Sequence, residues 1–262
     1  MEAIVKYALF LVVIFSLILI TRKIMEQFAP SISKNKYLSV FISASVIVAI
    51  MQFIIIPNFQ SVKSKNENLN QMKTVTSTIK RVILAHAWPA DAQTAWYPEV
   101  KKQLEEKGIE VIIPPLPNPE NSSAEDWIKI LQDTADKNSE NTLLIGHSIG
   151  GTAVLRMLEQ TDKKFAGLIM VSTAGFDLGY PALKDFFEGE FDYNKINSNT
   201  SFVTTFYSPN DVVLAPDPVK HASVFLKNLN AKTIILNERG HFAPFDNCTD
   251  IPELLQEITN RR

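Results

Sequence analysis

The first 60 residues and the rest of the chain carry different hydrophobic patterns. Ala3–Thr21 (AIVKYALFLVVIFSLILIT) and Leu38–Ile56 (LSVFISASVIVAIMQFIII) are apolar on nearly every helical face. The second is 19 residues long and uncharged. As a helix it reaches about 28 Å, close to the ~30 Å hydrocarbon core of a bilayer. The first carries one lysine, Lys6, near its start, where the side chain snorkels, and it ends sharply at Arg22 and Lys23. A polar loop with Pro30 separates the two. The pattern predicts a two-helix transmembrane hairpin within residues 1–56. A secretory signal is the plainer reading of residues 3–21, but the start is nearly neutral and no A-x-A site follows. A buried core helix is the plainer reading of residues 38–56, but such a helix keeps an amphipathic edge. The loop's basic residues (Arg22, Lys23, Lys34, Lys36) are denser than those of the flanks. That leans toward a cytoplasmic loop and an extracytoplasmic enzyme. The expected localisation is thus an integral two-pass membrane protein with the lipid bilayer as a partner. Residues 57–80 are polar, have no apolar period, and read as a tether.

From Arg81 onward, short apolar runs alternate with helical patterns. RVILAH (81–86), EVII (110–113), TLLIG (142–146), GLIMVST (167–173), SFVTTFYS (201–208) and KTIILN (232–237) read as strands. Helical patterns fall over residues 96–107, stopped by Gly108, and over 124–137, with Ser123 and Asp126 in capping-box positions. Others cover 149–160, 218–230 and 251–262. Near-continuous apolar strands alternating with helices predict an α/β domain, a mostly parallel sheet covered on both faces, over residues 81–262.

Composition narrows the partners. Residues 1–62 carry a net charge of +3 and the remainder −5. An acidic body with no basic stripe argues against nucleic acid. The single cysteine, Cys248, excludes an intramolecular disulfide and a cysteine-based zinc cluster. No metal or cofactor is expected.

The chemistry concentrates at Gly146-His147-Ser148-Ile149-Gly150, a G-x-S-x-G run followed by Gly151. It lies between a predicted strand and a predicted helix, the setting of a strained elbow that exposes a nucleophilic serine. The helix start also offers free N–H groups to developing negative charge. The competing readings are a glycine-rich turn without chemistry, or a phosphate loop, which lacks the G-K-[ST] it needs. A serine hydroxyl requires a base. Of His86, His147, His221 and His241, only His241 follows the last strand and comes after the serine in the order this fold demands. His147 lies inside the elbow and should point away from Ser148, and His221 lies in a helix pattern. Asp211 follows the 201–208 strand directly and is the preferred acid, with Asp217 and Asp246 as competitors. Its role is to hold the imidazole tautomer and stabilise the imidazolium.

These residues resemble the α/β-hydrolase fold and, within it, the small RBBP9/YdeN-like serine hydrolases. The resemblance rests on His86-Ala87-Trp88, Trp96-Tyr97-Pro98, residues 114–119 (PPLPNP), Asp126-Trp127, residues 146–151 (GHSIGG), Ser208–Asp211 and Gly240-His241. It covers about residues 82–260 and implies a serine hydrolase with Ser148, Asp211 and His241 as triad. Ala87 stands where the family usually has glycine, and the hydrophobic N-terminus has no place in the family pattern.

An oxyanion hole is expected from the backbone N–H groups of Ile149 and Trp88. His86 reads as structural rather than catalytic. Residues 176–197, rich in Phe and Tyr, read either as a lid lining an acyl pocket or as a helical connection packed on the sheet. The whole predicts a membrane-anchored serine hydrolase that cleaves a carboxylic ester or related acyl bond of a small molecule through an acyl-enzyme. An amidase or peptidase with the same triad, and a silent interaction module, are the alternatives.

Overall fold

Six strands form one parallel sheet in the order β2-β1-β3-β4-β5-β6. They are β1 (Arg81–Ala85), β2 (Glu110–Ile112), β3 (Thr142–His147), β4 (Gly167–Val171), β5 (Val203–Tyr207) and β6 (Lys232–Ile235). The computed structural model describes residues 79–121 and 123–261. The helices are α1 (Tyr97–Glu105), α2 (Ala124–Thr134), α3 (Ile149–Glu159), α4 (Tyr193–Ser198), α5 (Pro218–Leu229) and α6 (Pro252–Thr259).

The strand pattern dictates two cores. Alternate residues of a strand face opposite sides of the sheet. Ile83, Leu144, Leu168 and Val203 stand beside one another in register, and all belong to the face covered by α2, α3 and α5 with Trp127, Leu155 and Phe225. Val82, Leu143, Ile145, Ile169 and Phe206 face the other side, covered by α1 and α6 with Tyr97, Leu104, Leu254 and Ile258. Strands β3, β4 and β5 are buried along their whole length. That is why they read as continuous apolar runs rather than alternating ones. The edges are short: β2 has three residues, and β6 has four, with Lys232 and Ile235 exposed.

The helices start and stop where their ends are satisfied. Ser123 and Asp126 make the reciprocal capping box of α2, the Ser123 N–H donating to the Asp126 carboxylate at 2.8 Å. Segment 176–197 packs on the sheet's helical layer. Leu183 and Phe186 enter the core, Phe186 edge-on to Trp127 with 5.3 Å between ring centroids. The Arg156 guanidinium, itself buried, donates to the carbonyls of Phe186, Glu188 and Gly189 and pairs with Glu159. Of the two sequence readings of this segment, it is the packed connection that these contacts describe.

The described residues fall in one unit, Val75–Arg262. The expected spans 3–21 and 38–56, and the tether up to residue 78, lie outside the described residues. The two-pass membrane localisation meets a correction here. Among the described residues no helix is long and apolar enough to cross a membrane. The longest of them, α5, has 12 residues, or about 18 Å against the ~30 Å a span requires.

Candidate active site

The strand order reverses between β1 and β3, where chain leaving β1 crosses to β2 and chain leaving β3 runs the other way. Such a switch point opens a crevice beyond the carboxyl ends of the strands. Ser148 follows β3 at this place, and Ala87 and Trp88 follow β1.

Ser148 holds φ 53° and ψ −124°. Positive φ is costly for a residue with a Cβ, on the order of 1–3 kcal/mol. The surroundings hold it there. Its N–H donates to the Val171 carbonyl at 2.9 Å, and its carbonyl accepts from the Gly151 N–H at 3.0 Å. Helix α3 begins at once and lies against β1. A Cβ on Gly150 would overlap the carbonyl oxygens of Ala85 and His86, so glycine is what permits this approach.

The hydroxyl meets a base. His241 Nε2 lies 2.9 Å from Ser148 Oγ, and His241 Nδ1 lies 2.8 Å from Asp211 Oδ2. A carboxylate only accepts, so Nδ1 carries the proton and Nε2 presents its lone pair to the serine. The other carboxylate oxygen of Asp211 accepts from the N–H groups of Val213 and Leu214 at 2.9 and 3.1 Å. Asp211 is 2% exposed and His241 5%. The three residues singled out from the sequence thus form one hydrogen-bonded row. Asp217 and Asp246 sit elsewhere in function. Asp217 caps α5 through the Lys220 N–H, and Asp246 accepts from the backbone N–H of His241 at 2.8 Å.

The histidine loop is built with care for its backbone. Gly240 has φ +54°, and a Cβ there would strike the Asp246 carboxylate. Asn210 Oδ1 accepts from the Gly240 N–H and from Ser208 Oγ, and Ser208 Oγ in turn accepts from the Arg239 N–H. The acid loop and the base loop are therefore one hydrogen-bonded unit.

The oxyanion side is defined by what is already used. The Ala87 N–H donates to the Tyr97 hydroxyl at 3.0 Å. The Ala87 carbonyl lies 2.8 Å from His86 Nδ1, while His86 Nε2 accepts from the Leu116 N–H at 3.1 Å. His86 thus donates through Nδ1. The next peptide, Ala87–Trp88, is trans, so its N–H points away from the carbonyl that His86 holds. Neither the Trp88 N–H nor the Ile149 N–H has a hydrogen-bond partner among the described residues. Ala87 is not among the residues with positive φ, so the backbone at this turn does not require glycine. The Trp88 indole N–H donates to Asn118 Oδ1 at 2.8 Å, fixing the ring beside the crevice.

Sequence reasoning missed the partners of His147. Its Nδ1 lies 2.6 Å from the Tyr97 hydroxyl, and its Nε2 lies 2.8 Å from the His241 carbonyl. Burial pushes its pKa down to about 3, with the nearby His241 imidazole adding to the effect. Burial likewise lowers His86 and His221, and raises the Tyr97 phenol. The only signal in the sequence was the histidine next to the serine, which no periodicity assigns. Among the described residues no cluster of His, Cys, Asp and Glu is arranged to hold a metal ion.

Fold and site together define an α/β-hydrolase with a Ser-His-Asp row at its switch point. The family model described as serine hydrolase matches residues 82–259, and the chain belongs to that family. It is 30% identical over 186 residues to YdeN of Bacillus subtilis, covering 69% of this chain and 95% of that protein. It is 31% identical over 188 residues to serine hydrolase RBBP9 of Rattus norvegicus, covering 70% of this chain and 96% of that protein. The crystal structure of the B. subtilis ydeN gene product superposes with a TM-score of 0.64 at 29% identity, covering 70% of this chain and 98% of that one. These relatives are matched over nearly their whole length by the hydrolase region alone. What these relatives share with this chain is thus the hydrolase region. The integral membrane localisation expected from the sequence is corrected accordingly.

Proposed function

We propose that this serine hydrolase cleaves carboxylic esters of small molecules through an acyl-enzyme, with Ser148 as nucleophile, His241 as general base and Asp211 as its orienting acid. The observation that carries the reading is the unbroken row Ser148 Oγ–His241 Nε2 and His241 Nδ1–Asp211 Oδ2, at 2.9 and 2.8 Å. As Ser148 Oγ bonds to the acyl carbon, its proton passes to His241 Nε2. The carbonyl oxygen becomes an oxyanion and is met by the N–H groups of Ile149 and Trp88. His241 then gives the proton to the departing alkoxide, which leaves as an alcohol. Water enters, loses a proton to the same nitrogen and attacks the acyl-enzyme, and Ser148 recovers its proton as the acid departs. Asp211 stays ionised throughout and balances the transient imidazolium, which two backbone N–H donors on its other oxygen help it do.

The ester reading rests on the leaving group: an alkoxide departs from the tetrahedral intermediate more readily than an amine nitrogen, although both take their proton from His241 Nε2. The test is turnover of small activated esters of graded acyl length, together with labelling by a fluorophosphonate. Wild-type protein is expected to turn over and to label at one serine. Ser148→Ala is expected to lose labelling and about 10⁴-fold or more in kcat while keeping its circular dichroism. Labelling of the alanine variant at the wild-type rate would remove Ser148 from the mechanism.

A further inference from the structure

Strands β1 and β6 are separated in the sheet by β3, β4 and β5. Backbone pairing therefore cannot set the loop after β1, with its oxyanion donor, against the loop after β6, with its base. A chain of side chains does so. The Ala87 N–H donates to Tyr97 Oη at 3.0 Å. Tyr97 Oη lies 2.6 Å from His147 Nδ1, and His147 Nε2 lies 2.8 Å from the His241 carbonyl oxygen.

The polarity of this chain has one solution. A carbonyl only accepts, so His147 Nε2 carries the proton. His147 Nδ1 is then a lone pair, and the phenol must donate to it. The phenol oxygen keeps a lone pair for the Ala87 N–H. Every donor has an acceptor, and the whole row is closed to solvent: Tyr97 is 0% and His147 2% exposed. Trp96 packs across both rings, with centroids 4.7 Å from Tyr97 and 5.7 Å from His147. The rings have no room to adopt another arrangement without leaving a buried polar group unpaired, which costs more than an average hydrogen bond returns.

Resting on the serine-hydrolase reading above, we propose that Tyr97 and His147 are positioning residues. As one directional relay they hold the Ala87–Trp88 turn and the His241 backbone at a fixed spacing on either side of Ser148. The neutral imidazole of His147 also suits its place, 5.4 Å from the His241 ring by centroids. A cation there would oppose the imidazolium that forms on His241 during acylation. The burial that keeps His147 uncharged serves the same end.

A positioning role predicts a loss in the chemical step with little loss in binding. The experiment compares wild type, Tyr97→Phe, His147→Leu and His147→Gln on one activated ester. Rates are taken per site titrated by fluorophosphonate, with circular dichroism and melting recorded for each. Tyr97→Phe keeps the ring and loses only the hydroxyl. It is expected to lower kcat roughly 10- to 100-fold, in line with the cost of a misplaced catalytic group, with KM changed less than about threefold. His147→Leu should fall at least as far. His147→Gln offers an N–H to the His241 carbonyl and an oxygen to Tyr97, and should recover most of the difference. Folded Tyr97→Phe and His147→Leu proteins with wild-type kcat per titrated site would overturn the relay. So would a glutamine variant no better than leucine. The Ser148→Ala control separates the two readings. If it labels as wild type does, the hydrolase assignment falls; if it is silent and Tyr97→Phe matches wild type, only the relay falls.

Discussion

Ser148 occupies a backbone conformation that a side chain disfavours, and it is held there by the Val171 carbonyl and the Gly151 N–H. Around it, the acids differ in what they touch. Asp211 touches the base, whereas Asp217 touches only backbone at the start of α5. Asp211→Asn is therefore expected to lower kcat on the order of 10⁴-fold, by favouring the wrong imidazole tautomer. Asp217→Asn should leave kcat within about twofold and shift stability by only a few tenths of a kcal/mol, since asparagine caps as well as aspartate. Steady-state kinetics on both variants check this, and a damaging Asp217→Asn with a mild Asp211→Asn would exchange their roles. At this scale the places of Ser148, His241 and Asp211, which the structure brings into one hydrogen-bonded row, were legible because each stands at a fixed place relative to a strand end. Tyr97 was not. A buried tyrosine in an amphipathic helix looks like any core aromatic until the hydroxyl's partners are known, and those lie 10 and 50 residues away.

The elements divide in the same way. The six strands were readable as apolar runs, because both faces of the sheet are covered. The main helices were readable from their period and caps. Residues 181–198 were readable only as a helical connection without boundaries, because the seven-residue 3₁₀ turn and six-residue α4 are too short to show a period. What fixes them is Arg156, whose guanidinium gathers three carbonyls, pairs with Glu159 and lies 3.8 Å from the Phe191 ring centroid. Arg156→Ala strands those carbonyls and leaves Glu159 without its partner. It is expected to cost about 3 kcal/mol or more. Limited proteolysis should then cut first within residues 186–192. A melt unchanged by this substitution would mean that Phe186 and Leu183 alone hold the segment.

Across the whole molecule, three histidines outside the row do related work. His86 joins the loop after β1 to Leu116, His147 joins β3 to the loop after β6, and His221 accepts from the Gly175 N–H. Each keeps one bare nitrogen that accepts a hydrogen bond, so each bond requires the neutral ring. Burial lowers the pKa of all three, that of His147 to about 3. Below about pH 6.5 the unfolded chain takes up protons that the folded chain refuses. For His147, stability is then full above that pH and declines by about 1.4 kcal/mol per pH unit as pH falls toward 3; His86 and His221 add to the decline in the same direction. His147 faces His241, Asp211 and His86, and their charges set the details. Melting temperatures between pH 7 and 4.5 should fall for wild type, and less steeply for His147→Gln. Parallel slopes for the two would show that His147 takes no part in acid sensitivity.

The two ends of the sheet carry a consequence for crowded solution. An exposed strand edge is a template on which another copy can add a strand, and long flat edges invite it. Here one edge has three residues and the other four. On β6 the first residue is a lysine whose ammonium is tied to Glu257 at 2.6 Å, and Glu257 is in turn held by Arg261. A second molecule adding to β6 would have to strip water from that charged group and would gain few ladder bonds in return. Short edges and a tethered charge on β6 thus give strand addition at these edges little to gain.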